Sequence, residues 1–307
     1  MRDADPRRVA IYFQGGGGCW NSRNCGLEGQ RTFKDSVGED DRPWTREAAT
    51  GIFDVSDRRN PLRNFSLILA PYCTADVHLG VRTSRFESAD GKRLDVHYRG
   101  LANAQRVMDW VSGQYADVRV LFVTGGSAGA ISSPVFAAQL ARRYPRAQVI
   151  QLGDSAGGYR TARLPTQFSE WGAATALKLD PLFNDMNPAS VNFEELYVRV
   201  ARVRNLRLAQ VNSLEDGIQR LMLREIGHEV TTLAPLLSGN LAELRRADPR
   251  LRTYTFQGTV HEILKRPEFY TTQSDGVALS AWVDDLLRGT ARNVGDSLPP
   301  EPVPRLE

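Results

Sequence analysis

The sequence predicts an α/β fold, with a mainly parallel central sheet and helices on both faces. Three observations predict it. Short apolar, β-branched runs recur along the chain, at Val9 to Phe13, Phe65 to Ala70, Val118 to Val123, Ala147 to Leu152, Leu206 to Gln210 and Leu251 to Phe256, and read as buried strands. Helix-compatible segments separate several of them, and strands that alternate with helices build a parallel sheet. The composition, 41% hydrophobic and 24% charged over 307 residues, is that of an ordinary globular chain with enough length for one large α/β domain.

Val9 to Phe13 (VAIYF) runs directly into Gln14-Gly15-Gly16-Gly17-Gly18. Glycines let backbone N–H groups turn toward one point, which suits a negatively charged oxygen. A phosphate loop would end in Lys-Ser/Thr, and Cys19-Trp20-Asn21 supplies none. An oxyanion loop after an early strand fits without adjustment. Asn21 to Asn60 is polar and irregular, with Trp44 and Phe53 as expected packing anchors. Phe65 to Ala70 is the next strand, and Thr74 to Arg99 reads as loop with a turn at Gly91. His78 and His97 lie in that loop and read as surface histidines. Leu101 to Gly113 has helical periodicity, with Val107, Trp110 and Val111 on one side.

Val118 to Tyr144 (VRVLFVTGGSAGAISSPVFAAQLARRY) is strand, sharp turn, helix, with a serine at the turn. Gly125-Gly126-Ser127-Ala128-Gly129 fits G-x-S-x-G, in which a strained backbone lifts a hydroxyl above the sheet. A bare match also describes a Gly-rich turn capped by serine. Gly153-Asp154-Ser155-Ala156-Gly157 is a second match, but it leads to Pro165 rather than to a long helix, so Ser127 is the preferred nucleophile. Thr166 to Tyr197 is irregular and reads as a helical cap or a wall of the cleft. Asp216 follows the strand at Leu206 to Gln210, and His261 stands five residues beyond the last strand. Helix resumes near Val277. One domain is expected over residues 1–290, with a Pro-rich, mobile tail over 291–307.

A serine elbow, then an acid after a later strand, then a histidine after the last is the order of α/β-hydrolase-like enzymes. All three loops leave the carboxyl ends of strands, where open α/β sheets keep their sites. Asp154 is the second candidate for the acid.

The chain resembles the pectin acetylesterase or Notum family. The matching pieces are Tyr12 to Asn21 (YFQGGGGCWN) with Cys25, Pro71 to Gly80 (PYCTADVHLG), Tyr98-Arg99-Gly100, Thr124 to Ala130 (TGGSAGA), Asn212 to Gln219 (NSLEDGIQ) and the region of His261. The resemblance implies Ser127, Asp216 and His261 as catalytic triad, the amides of Gly15, Gly16 and Ala128 as oxyanion hole, and a disulfide between Cys19 and Cys25. It implies a serine carboxylic ester hydrolase that deacetylates a polysaccharide such as pectin, acts as a monomer without metal or organic cofactor, and is secreted or periplasmic. Ala130 stands where a second glycine is common after the serine, and Cys73 lacks its usual partner.

Other classes fit less well. A net charge of +3 with scattered arginines marks a solvated surface rather than a nucleic-acid partner. No apolar stretch approaches the roughly 18 residues of a membrane helix, and MRDADPRRVA lacks the apolar core of a signal peptide. His261-Glu262-Ile263-Leu264-Lys265 lacks the second histidine of a zinc hydrolase. Two alternatives stay open: a serine hydrolase for longer acyl esters, and a non-catalytic polysaccharide-binding relative.

Overall fold

The computed structural model describes residues 4–41, 49–159 and 164–295. Its strands are β1 (Asp5–Phe13), β2 (Phe65–Ala70), β3 (Thr83–Glu87), β4 (Arg93–His97), β5 (Val120–Gly126), β6 (Gln148–Asp154), β7 (Leu206–Ser213) and β8 (Arg252–Phe256). Six of them form one sheet in the order β2-β1-β5-β6-β7-β8, and every neighbouring pair is parallel. The expected α/β-hydrolase-like architecture is therefore present.

The pleat sorts the apolar residues of each strand between two cores. On β1, Val9, Ile11 and Phe13 enter one core, while Ala10 and Tyr12 enter the other. The first core is covered by α1 (Gly100–Gln114), α2 (Ala128–Arg143), α5 (Phe193–Val200) and part of α7 (Ala234–Ala247). The second is closed by α8 (Leu279–Arg288), through Trp282, Val283 and Leu286, together with Ile52, Phe53 and Phe269 from two short 3₁₀ turns. Between these helices lie α3 (Leu164–Glu170), α4 (Ala173–Leu177) and α6 (Gly217–Glu225).

Helix α2 is buried nearly all round and carries Pro134 in its interior. Proline removes the N–H that would reach the Ala130 carbonyl. Ser133 Oγ donates to that carbonyl instead, at 3.1 Å, so the turn loses no hydrogen bond.

Topology fixes where chemistry can occur. The chain leaves β1 toward β2 on one side and returns as β5 on the other, so β1 and β5 flank the point where the order reverses. Phe13 pairs with Gly125 and Gly126 with Asp154, which sets the glycine loop, Ser127 and Ser155 side by side at the carboxyl edge.

The structure differs from the sequence expectations in four places. Thr74 to Arg99 is not all loop: β3 and β4 form an antiparallel hairpin whose turn contains Gly91. His78 is buried, 1% exposed, whereas His97 is at the surface. The inward face of α1 is Gly100, Ala104, Met108 and Val111, and Trp110 is 39% exposed. Residues 166–197 contain α3, α4 and the start of α5 rather than irregular chain. Phe53 is buried as expected; Trp44 and residues 296–307 of the tail lie outside the described residues. Cys19 and Cys25 form a disulfide, and Cys73 is free and half-buried. No helix among the described residues is long and apolar enough to cross a membrane.

Candidate active site

Ser127 stands between β5 and α2 at φ 50° and ψ −117°, a conformation that non-glycine residues adopt only where surroundings enforce it. Its amide donates to the Asp154 carbonyl at 2.8 Å. The flanking glycines are required by proximity: a Cβ on Gly125 would meet the Gly129 carbonyl carbon at 2.5 Å, and one on Gly129 would strike the Phe13 carbonyl oxygen. Strand and helix approach so closely only because both side chains are absent.

Asp216 is fully buried as the N-cap of α6. Its Oδ1 accepts from the amides of Ile218 and Gln219, both at 2.9 Å. Oδ2 accepts from Gln219 Nε2 at 3.1 Å and pairs with His261 Nδ1 at 2.7 Å. With four donors around it the carboxylate cannot rotate, and a carboxylate can only accept. Nδ1 therefore carries the ring proton, leaving Nε2 as a base. Burial pushes the imidazole's pKa down, but the hydrogen bond and charge of Asp216, with the charges of Glu262 and Asp154, outweigh it and hold it above the ordinary histidine value.

His261 and Ser127 line one open cleft of about 650 Å³, together with Gly16, Gly17, Arg23, Arg31, Phe33 and Lys34. Ser127 and Ala128 also line a smaller, almost wholly apolar cavity of about 30 Å³, bordered by Trp20, Val77, Ile131, Tyr159 and Trp171. Ser127, His261 and Gly16 thus line one cleft, Ala128 lines the smaller cavity beside Ser127, and Asp216 is buried behind His261. Gly15 sits behind the cleft, packed against Glu262 and Gly126. Gly17, in the glycine loop but outside the three amides that the resemblance implies, borders both spaces.

Asp154, the second candidate acid, has another position. It is fully buried, and its carboxylate accepts from Leu264 N at 2.8 Å, Ile263 N at 3.3 Å and Ser155 Oγ at 2.9 Å. Ser155 Oγ in turn accepts from Glu262 N at 2.9 Å. These two side chains therefore tether three consecutive amides immediately after His261. Burial pushes the Asp154 carboxyl up to about 7, with the Glu262 charge adding to it. Asp154→Ala would leave two buried N–H groups without acceptors and is expected to cost about 2–4 kcal/mol; thermal unfolding of the variant checks this. The second G-x-S-x-G match marks a strained serine, φ 67° at Ser155, at the next strand end, but not its partners after His261.

No curated protein matches the chain. The pectinacetylesterase family model matches residues 4–168, which include the glycine loop, the elbow and β6, while Asp216 and His261 lie beyond the match. The matched part is more than half of the 307 residues and supports esterase activity in general. On that match, with an α/β sheet carrying a glycine loop and a serine elbow at its switch point, the chain belongs to the pectinacetylesterase family.

Proposed function

We propose that the chain is a serine carboxylic ester hydrolase that removes acetyl groups from a polysaccharide such as pectin. The observation that carries this reading is the His261–Asp216 pair at 2.7 Å, opening on the same cleft as a serine held at a strained elbow. His261 Nε2 takes the Ser127 proton as Oγ bonds to the ester carbonyl carbon, and the oxyanion is held by amides of the Gly15–Gly17 loop and of Ala128. The tetrahedral adduct collapses with cleavage of the carbon–alkoxide bond, the alkoxide leaving with the proton from His261. Water, deprotonated by His261, then releases the acyl group from Ser127. Asp216 keeps the imidazole in the productive tautomer throughout.

The two spaces beside Ser127 match the two halves of such a substrate. A cavity of about 30 Å³ admits roughly two water-sized groups, enough for the methyl and carbonyl of an acetyl group. The open cleft, about twenty times larger, takes a bulky alcohol. Its cations are partly offset: Arg23 pairs with Glu225 at 3.6 Å, and Lys34 and Arg31 pair with Asp41 and Asp35. One esterase domain over residues 1–290 is part of this reading. So is an oxidising compartment, where a disulfide such as Cys19–Cys25 persists.

The test is a series of p-nitrophenyl esters together with acetate release from acetylated pectin. Acetyl is expected to exceed octanoyl in kcat/KM, with acetate released from the polymer. A preference for octanoyl would move the reading to long-acyl esters, and no turnover of any ester would overturn it. The pH profile follows from His261. Turnover is expected to fall on the acid side, as the imidazole gains a proton and ceases to be a base, with a midpoint above the free-histidine value of about 6.5. A kcat/KM profile checks the sign: activity rising toward acid would contradict it.

A further inference from the structure

The segment Pro71 to Gly80 reaches neither substrate space except through Val77, yet it is tied to the glycine loop from behind. Ala75, Val77 and His78 all lie in the left-handed region, at φ 61°, 49° and 62°, and three such non-glycine residues within four positions are costly to hold. The Asp76 carboxylate fixes them. Its Oδ1 accepts from Thr74 Oγ1 at 2.6 Å and His78 N at 3.2 Å, and Oδ2 accepts from Gly100 N at 2.7 Å.

The strained turn sets two buried side chains against the loop. His78 Nε2 lies 2.8 Å from the Gln14 carbonyl oxygen; a carbonyl only accepts, so Nε2 carries the proton. Its ring packs against Tyr72, centroids 4.5 Å apart, and edge-on to Phe13 at 5.5 Å. Tyr72 Oη donates to the Gly17 carbonyl at 2.9 Å and accepts from Val77 N at 2.8 Å. Tyr72 N donates to Gln14 Oε1 at 3.1 Å. Lys34 N donates to the Gly16 carbonyl at 2.9 Å.

Three of these bonds, from His78, Tyr72 Oη and Lys34 N, each take a backbone carbonyl of the loop. A peptide unit is planar and trans, so its N–H points opposite to its C=O. Through His78 the Gln14 carbonyl fixes the direction of the Gly15 amide, through Lys34 N the Gly16 carbonyl fixes that of Gly17, and through Tyr72 the Gly17 carbonyl fixes that of Gly18, the end of the loop. Glycines left to themselves would populate many peptide orientations.

We infer that His78 and Tyr72 are positioning residues for the oxyanion loop: His78 holds the peptide plane that carries the Gly15 amide, and Tyr72 holds the Gly17–Gly18 plane at the loop's far end, so that the amides between them meet the developing oxyanion. This rests on the esterase reading above. Burial pushes the His78 imidazole down to about 4, so it remains a neutral donor over the working range of His261.

The test uses two variants. His78→Asn keeps a residue type that tolerates left-handed backbone and removes the imidazole, while Tyr72→Phe removes only a hydroxyl. Active sites are counted with a fluorophosphonate, so that kcat is expressed per folded site. Each variant is expected to lower kcat on p-nitrophenyl acetate by about 10- to 100-fold with little change in KM. Affinity for a trifluoromethyl ketone, which forms an oxyanion at the same place, should weaken by the same factor. A purely structural role would lower the number of titrated sites but leave kcat per site unchanged. That outcome in both variants, or unchanged ketone affinity, would overturn the inference. Ser127→Ala run in parallel separates the two levels. If it retains activity, the esterase reading falls and this inference with it. If it is inactive while both positioning variants are fully active, only this inference falls.

Discussion

Ser127→Ala is expected to lower kcat for p-nitrophenyl acetate by roughly 10⁴-fold or more, with thermal unfolding nearly unchanged. The change deletes one oxygen at a residue that is 6% exposed and faces the cleft, so it opens no large cavity. What remains are the loop amides and the His261–Asp216 pair, which polarise and position an ester without supplying a nucleophile. A stopped assay at high enzyme concentration, with a parallel melting curve, checks both halves. Activity within tenfold of the parent would exclude the elbow serine as nucleophile.

Asp216→Asn is expected to be the next most damaging substitution, lowering kcat by about 10³- to 10⁴-fold. Asparagine caps helices as well as aspartate does, so its amide oxygen can still take the N–H groups of Ile218 and Gln219. Its NH₂ group then faces His261 Nδ1, where the carboxylate oxygen stood. Two donors cannot share that contact, so the ring adopts the other tautomer and Nε2 can no longer accept the serine proton. Asp154→Asn is the control, because Asp154 binds the amides of Ile263 and Leu264 and not the imidazole nitrogen held by Asp216. It is expected to lose less than about tenfold in kcat while melting at lower temperature. If Asp154→Asn proves the more damaging in kcat, the roles assigned to the two acids are reversed.

The sheet was legible because its strands are carried by local sequence. FSLILA and VLFV are buried on both faces and hardly depend on context. The β3–β4 hairpin was not, since its residues other than Ser84 are half or fully exposed and no apolar run marks them. Trp110 misled the reading of α1 because helical phase alone does not say which face meets the sheet; Met108 and Ala104 do so in the structure. Helix α7 left no strong signal, with Ser238, Gly239 and Asn240 at its centre.

The candidate site shows the same division. The elbow and the strand-end positions of Asp216 and His261 follow from order along the chain, which the sequence displays. His78 could not be placed this way. It is polar, lies in a segment that reads as loop, and is buried because Phe13, from the end of β1, and Tyr72, across the strained turn, pack against its ring. The tether from Asp154 and Ser155 to the amides after His261 likewise joins residues more than a hundred positions apart, a relation no local pattern encodes.

The central claim is that an acyl group passes through Ser127. Mixing the enzyme with an acetyl ester, quenching in acid during the first turnover and mapping the peptides by mass spectrometry tests it most directly. The account predicts one acetyl group on the peptide carrying Ser127, absent from Ser127→Ala and from His261→Ala. Acetate release from the unmodified enzyme with the acetyl group on a different side chain would contradict it.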